Sequence, residues 1–291
     1  MEEQKNSMNI QWYPGHMTKT RRMMEEDLKL VDAVCEILDA RIPISSRNPD
    51  IDAICGKKPR MVILNRIDMA DADLVGRWSN YFKDRGMAVI RTDCKSRKGI
   101  NTFAPAVRQL LAEKLQRYAE KGQVGRPLKL MVVGIPNVGK STFINQIAGR
   151  KGAKAENRPG VTRGKQWVNV DGGLLLLDTP GILWPKFDDP EVGMRLAYTG
   201  AVKDDILDTE TLGCHLMELL AREYPGALTE RYKIEIPTEI DGWELLQAAG
   251  RKRGFLVSGG EVDWERSANM LLDEFRAARI GRITLEVPAA D

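Results

Sequence analysis

The amino-acid sequence predicts an α/β fold followed by a mainly helical region, and three observations carry that prediction. Short apolar runs ending in turn residues alternate with amphipathic stretches; one run enters a glycine-rich loop that opens a helix; and beyond about residue 185 apolar residues recur at helical spacing instead. Segments 31–38, 60–65, 87–92, 128–134 and 174–178 read as buried strands. Between and before them, 17–30, 73–83, 100–118 and 140–148 read as helices. Further on, 194–202, 212–224, 243–249 and 264–279 carry helical patterns, the last with Trp264, Ala268, Leu271 and Phe275 on one face. The expected division is an α/β domain over 1–185, a linker over 186–205 and a helical domain over 206–291.

Composition agrees with a globular chain of this kind. Of 291 residues, 43% are hydrophobic, enough for a sizeable core and too many for a disordered chain. Lys and Arg number 44 against 41 Asp and Glu, so the net charge of +3 does not by itself indicate a nucleic-acid partner. The sum conceals a local excess: residues 121–170 hold ten basic residues against the single acid Glu156. Cys35, Cys55, Cys94 and Cys214 lie far apart, which fits neither a disulfide framework nor a zinc site. With no apolar run of membrane-spanning length, the expectation is a soluble cytoplasmic protein without a membrane partner.

The most specific local pattern is Gly134-Ile-Pro-Asn-Val-Gly-Lys-Ser141, a complete G-x4-G-K-S between a strand and a helix. Glycines at this spacing let backbone N–H groups wrap phosphate oxygens at the positive end of the helix. Asn137, Val138, Gly139, Lys140, Ser141 and Thr142 therefore form the expected phosphate cradle, Lys140 reaching the β- and γ-phosphates and Ser141 the Mg²⁺ ion. Downstream, Asp178-Thr-Pro-Gly181 follows an apolar strand: Asp178 can complete the Mg²⁺ shell and the Gly181 N–H can approach a γ-phosphate. Between them, Thr162 of the Pro159-Gly-Val-Thr segment is placed to close on the metal.

A phosphate loop does not choose a base. Guanine offers two adjacent donors, N1–H and the 2-amino group, and one carboxylate accepts both. Asn65-Arg66-Ile67-Asp68, directly after the strand 60–65, supplies that carboxylate in Asp68 and resembles the Asn-Lys-x-Asp motif of GTPases, with Arg66 in the usual Lys position. Asp93 and Cys94, after the next strand, resemble the loop that accompanies it. The guanine motif thus comes 69 residues before the phosphate loop rather than after it. Surface loops accept new chain ends without disturbing a core, so the same site can be threaded in a different order.

Together with Trp12-Tyr-Pro-Gly-His-Met17 and Asp39-Ala-Arg-Ile-Pro43, these motifs resemble the circularly permuted P-loop GTPases, and most closely the YlqF/RbgA family of ribosome biogenesis GTPases. The resemblance covers nearly the whole chain and implies a permuted GTPase domain with motif order G4-G5-G1-G2-G3. It further implies a GTP-hydrolysing factor whose partners are GTP and GDP, the large ribosomal subunit late in assembly, and its rRNA; a monomer is the expected state.

The resemblance also assigns roles. Ile182 follows Gly181 where many GTPases carry a water-orienting Gln, and the family's proposed catalytic group corresponds here to His16; capping of the helix 17–30 is the other reading of that side chain. Asn137 corresponds to a K⁺ ligand in related GTPases, while as a turn residue it also tolerates unusual backbone angles. Arg251, Lys252 and Arg253 become candidates for RNA contact, though a short basic turn is ordinarily a solvated face. His215 lies in an amphipathic pattern and reads as structural. Two other classes remain open from the residues alone: a GTP-gated RNA-binding scaffold in which hydrolysis is incidental, and an ATP-using P-loop enzyme.

Overall fold

The computed structural model describes residues 17–149, 166–170, 172–179, 189–202 and 208–289, with side chains from residue 21 onward. These divide into two compact units, with boundaries at Lys186/Phe187 and again at Ile283/Thr284.

The first unit is built on a six-stranded sheet. Its strands are β1 (Ala33–Asp39), β2 (Arg60–Asn65), β3 (Ala88–Arg91), β4 (Leu128–Gly134), β5 (Gln166–Val170) and β6 (Leu174–Asp178), in the order β3-β2-β1-β4-β6-β5. All neighbours are parallel except the edge pair β5/β6. Every residue of β1 is buried, as a central parallel strand covered on both faces requires. On one face lie α1 (Met17–Leu28), α2 (Ile51–Cys55) and α3 (Ala72–Asp84). Met24, Leu28, Ile51 and Cys55 pack there on Val34, Met131, Val133 and Leu177; Val75, Trp78 and Phe82 pack on Leu38, Val62 and Leu64. The alternate positions Cys35, Ile37, Met61 and Ile63 are equally buried. Helices α4 (Phe103–Leu110), α5 (Ala112–Glu120) and α6 (Lys140–Ala148) complete the unit; Phe103 and Phe143 meet edge to face at 5.2 Å and join α4 to α6.

All five predicted strands and the helix 140–148 are present, while several features differ from expectation. The run 100–118 is interrupted: a 3₁₀ turn at Ile100–Thr102 precedes α4, and Leu111, buried with φ −108°, separates α4 from α5. Strand β5 is not among the predicted strands, and Gln166–Val170 becomes a strand by pairing with β6 across Gly172 and Gly173, both at positive φ. The third difference is the domain boundary. The helical unit was expected to run to residue 291, whereas Thr284 onward belongs with the first unit, where its backbone and Glu286 find hydrogen-bond partners.

The second unit holds α7 (Pro190–Tyr198), α8 (Thr209–Glu223), α9 (Pro225–Tyr232), α10 (Gly242–Lys252) and α11 (Trp264–Arg276). Helix α7 lies within the expected linker 186–205, which corrects that reading: Leu196, Ala197 and Tyr198 are buried, and Arg276 of α11 donates to the carbonyls of Ala197 and Tyr198. Asp189, Asp208, Asp241 and Asp263 cap α7, α8, α10 and α11 through side-chain acceptance of first-turn N–H groups. Helix α8 packs against both α10 and α11 through residues small enough for close approach. A Cβ on Gly213 would stand 2.7 Å from the Ala268 Cβ, and one on Gly242 would stand 2.2 Å from the Cys214 carbonyl oxygen.

Candidate nucleotide-binding site

The site lies at the carboxyl ends of the parallel strands, the edge at which open α/β sheets bind ligands. Between β4 and α6, Asn137 (φ 59°) and Gly139 (φ 99°) both adopt left-handed backbone, the conformation that turns successive N–H groups toward one concavity. Arg66, Ile135, Pro136, Asn137, Gly139, Lys140, Ser141 and Thr142 line an open pocket of about 460 Å³. Gly139 has a second reason to be glycine: a Cβ there would lie 2.4 Å from the Asn65 Nδ2.

Asn65 braces three loops. Its Nδ2 donates to the Val138 carbonyl at 2.9 Å, and its Oδ1 accepts from the Thr92 hydroxyl and the Cys94 N–H, each at 3.2 Å. One buried amide therefore ties the guanine motif to the phosphate loop and to the loop after β3. Circular permutation leaves this junction intact, because it depends on strand adjacency and not on chain order. Arg66, at φ 64°, donates to the Asn137 carbonyl at 2.5 Å, with its Nε 3.6 Å from the Asp39 carboxylate. Burial lowers its pKa, opposed by Asp39.

Asp39 and Arg41 were quoted in the sequence as part of a motif, without a role. Both are buried, Arg41 to 1% exposure, and they pair through two hydrogen bonds of 3.0 and 2.7 Å. Burial pushes the Asp39 carboxyl up, but the Arg41 and Arg66 guanidiniums hold it below the usual carboxylate range. The signal in the sequence was an Arg two residues beyond an Asp at the end of a largely apolar strand. Their linkage to Arg66, and through it to Asn137, is visible only in three dimensions.

Asp93 has its carboxylate committed to its own turn, accepting from the Lys95 and Ser96 N–H groups at 2.8 and 3.2 Å. Burial pushes its pKa up, but hydrogen bonding, led by the Ser96 side chain, outweighs it and lowers the pKa. Cys94 contributes its backbone, and burial pushes its thiol up to about 11, so it is no nucleophile. Asp68 is partly exposed two residues beyond Arg66.

Lys140, at the first turn of α6, is buried to 9% exposure and paired with the Asp178 carboxylate at the end of β6. Ser141 is exposed beside it. A hydroxyl and a carboxylate are hard oxygen donors, and Mg²⁺ in phosphate sites takes only one or two protein ligands, with phosphate and water completing the octahedron. The pair fits that ion. No cluster of three His, Cys, Asp or Glu exists among the described residues, so a cage for a different metal is not offered there. His16, Thr162 and Gly181 lie outside the described residues. His215 sits on α8, 3.9 Å from Glu218.

In the second unit, Arg251 and Lys252 are exposed in the last turn of α10. Arg253 is partly engaged in structure, 3.4 Å from the Glu274 carboxylate and 5.5 Å from the Tyr232 ring centroid.

A phosphate loop, a facing Asp at the end of the next parallel strand and an Asn-x-x-Asp loop braced against the phosphate loop define the class: a P-loop nucleotide hydrolase with a permuted GTPase fold. Residues 129–224 match the family model described as "50S ribosome-binding GTPase". The chain is 46% identical over 282 residues to Ribosome biogenesis GTPase A of Bacillus cereus, covering 97% of this chain and 95% of that protein. It is 47% identical to the protein of the same name from Priestia megaterium, with 97% and 98% covered. Among solved structures, GDP-bound YlqF of Thermotoga maritima superposes with a TM-score of 0.69 at 26% identity, covering 92% of this chain and 99% of that one. The chain belongs to the YlqF/RbgA family of ribosome biogenesis GTPases, and its activity is hydrolysis of GTP.

Proposed function

We propose that this GTPase acts late in assembly of the large ribosomal subunit, as a cytoplasmic monomer whose first unit binds GTP and whose helical unit contacts rRNA. The supporting observation is end-to-end similarity to proteins named for ribosome biogenesis, coupled to a nucleotide site whose motif loops are braced together by Asn65. No helix among the described residues is long and apolar enough to cross a membrane.

Within this reading, Asp68 accepts the guanine N1–H and 2-amino donors, with Asn65 and Arg66 holding its loop and Asp93 and Cys94 shaping the adjoining turn. The Asn137–Thr142 backbone, joined by Gly181, cradles the phosphates, and the Lys140 ammonium neutralises charge as it shifts onto the leaving diphosphate. Ser141, Asp178 and Thr162 hold Mg²⁺, which supplies further charge neutralisation when bound. Asn137 is the proposed K⁺ ligand, an extra positive charge at the same place. With Ile182 lacking an amide, His16 orients the attacking water. Arg251 and Lys252 meet RNA phosphates, Arg253 contributing less because Glu274 already holds it.

The test is co-sedimentation with large subunits. GTP-loaded protein is expected to pellet with them and GDP-loaded protein to remain in the supernatant; equal behaviour of the two forms overturns the reading. In single-turnover hydrolysis, His16→Ala is expected to keep nucleotide affinity and lose subunit-stimulated turnover, and replacing K⁺ by Na⁺ is expected to slow the reaction. An unchanged rate in either experiment removes the role assigned to that group.

A further inference from the structure

The segment that follows the last helix returns to the first unit and is tied to two of its loops. The Thr284 hydroxyl accepts from the Asp71 N–H at 3.1 Å and donates to the Ala40 carbonyl at 3.2 Å. The Leu285 N–H donates to the Arg41 carbonyl at 2.8 Å. Glu286, 7% exposed, accepts from the N–H groups of Ile44 and Ser45 at 2.7 and 2.9 Å and from the Ser45 hydroxyl, while its own carbonyl accepts from the Trp78 indole at 3.0 Å. The segment thus crosses the loop after β1 and the loop between β2 and α3, which carries Asn65–Asp68.

Loops at the carboxyl ends of parallel strands have no ladder partners of their own, so something else must satisfy their N–H groups. The strap supplies a buried carboxylate and a bridging hydroxyl. Its effect reaches the nucleotide side by two routes. Ser46, next to the clamped Ser45, accepts the Asp39 N–H at 3.0 Å, and Asp39 holds Arg66, which in turn holds the Asn137 carbonyl. Asp71, pinned by Thr284, caps α3 three residues beyond Asp68.

We propose that Thr284 and Glu286 are positioning residues for base recognition: the carboxyl-terminal strap sets the loop that presents Asp68, and so belongs to the guanine-binding site although it lies more than 200 residues away in sequence. The proposal rests on Asp68 as the guanine acceptor. The chain of the helical unit continues directly into this strap at Ile283/Thr284.

Displacement of labelled GDP from the full chain by GTP and by inosine triphosphate, which lacks the 2-amino group, reads the loop directly. Glu286→Gln and Thr284→Val are expected to narrow the preference for GTP by roughly three- to tenfold, a charged or bridging hydrogen bond being removed in each. Asp68→Asn is expected to abolish the preference. A lowered urea midpoint with the wild-type preference retained makes the strap merely structural and overturns the proposal; should Glu286→Gln fail to fold, Thr284→Val, which changes one hydroxyl at constant volume, decides it. If Asp68→Asn keeps the preference, the guanine assignment itself fails and the strap proposal falls with it. If Asp68→Asn abolishes it while both strap variants leave it intact, only the strap is refuted.

Discussion

The two units solve different problems with the same alphabet. The first buries charge: Glu36, Asp39, Arg41 and Glu286 are each at most 7% exposed, and the last three are occupied in holding loops. The second buries one carboxylate, Glu274, against Arg231 and Arg253, but otherwise places aspartates at its helix starts and closes its helices together through glycine and alanine. Loops at a sheet edge have many unpaired N–H and C=O groups, so ionic side chains are needed to satisfy them; helices satisfy their own backbone and need only caps and fit. Function in the first unit therefore depends on hydrogen-bond geometry, whereas the integrity of the second depends on steric complementarity.

Lys140→Ala should break the first unit's function most severely, lowering single-turnover GTP hydrolysis by about 10²–10³-fold while leaving the helical unit's melting unchanged. Loss of both together would show that the units are not separable in this way.

Glu36 sharpens the contrast within the first unit. Burial pushes its carboxyl to about 7, outweighing the nearby Arg47 and Arg60 guanidiniums, with Asp52 adding to the rise. A folded pKa above the unfolded value means stability that is fully present below about 4.5 and lost as pH rises toward 7, by at most about 3 kcal/mol. Between pH 5 and pH 8 the wild-type melting temperature should fall relative to that of Glu36→Gln; parallel curves would refute the assignment.

Gly242→Ala tests the second unit. Its new Cβ would meet backbone at the Cys214 carbonyl, and overpacking of this kind costs about 1–3 kcal/mol. Urea denaturation is expected to show that loss with GDP affinity retained, and a retained midpoint would mean that α10 shifts freely against α8. The smallest effect expected is from Asp208→Ala, about 1 kcal/mol from the lost cap on α8, read in the same titration.

How much was legible in the sequence follows from the range of each interaction. The phosphate loop could be read because its geometry is local: Gly139 and the helix it opens are adjacent in the chain. Asn65–Asp68 could be read because an apolar strand ends directly before it. Strand β5 was not legible, since it exists by pairing, and neither was the break at Leu111, which is drawn into the core. The role of Asn65 was not legible either: its amide bonds to Val138, Thr92 and Cys94, partners set by which loops the sheet brings together.

By itself the sequence determined most of the element types, the family and the phosphate-loop motif, because short-range periodicity and backbone-limited motifs specify these. Only the tertiary structure decided that Asp39, Arg41 and Arg66 form one linkage to the phosphate loop, and that Thr284 and Glu286 cross back to the first unit. The physical reason is common to both cases. Burying a charge is costly unless a partner meets it, and the partner's identity is set by which loops the sheet places side by side, not by distance along the chain.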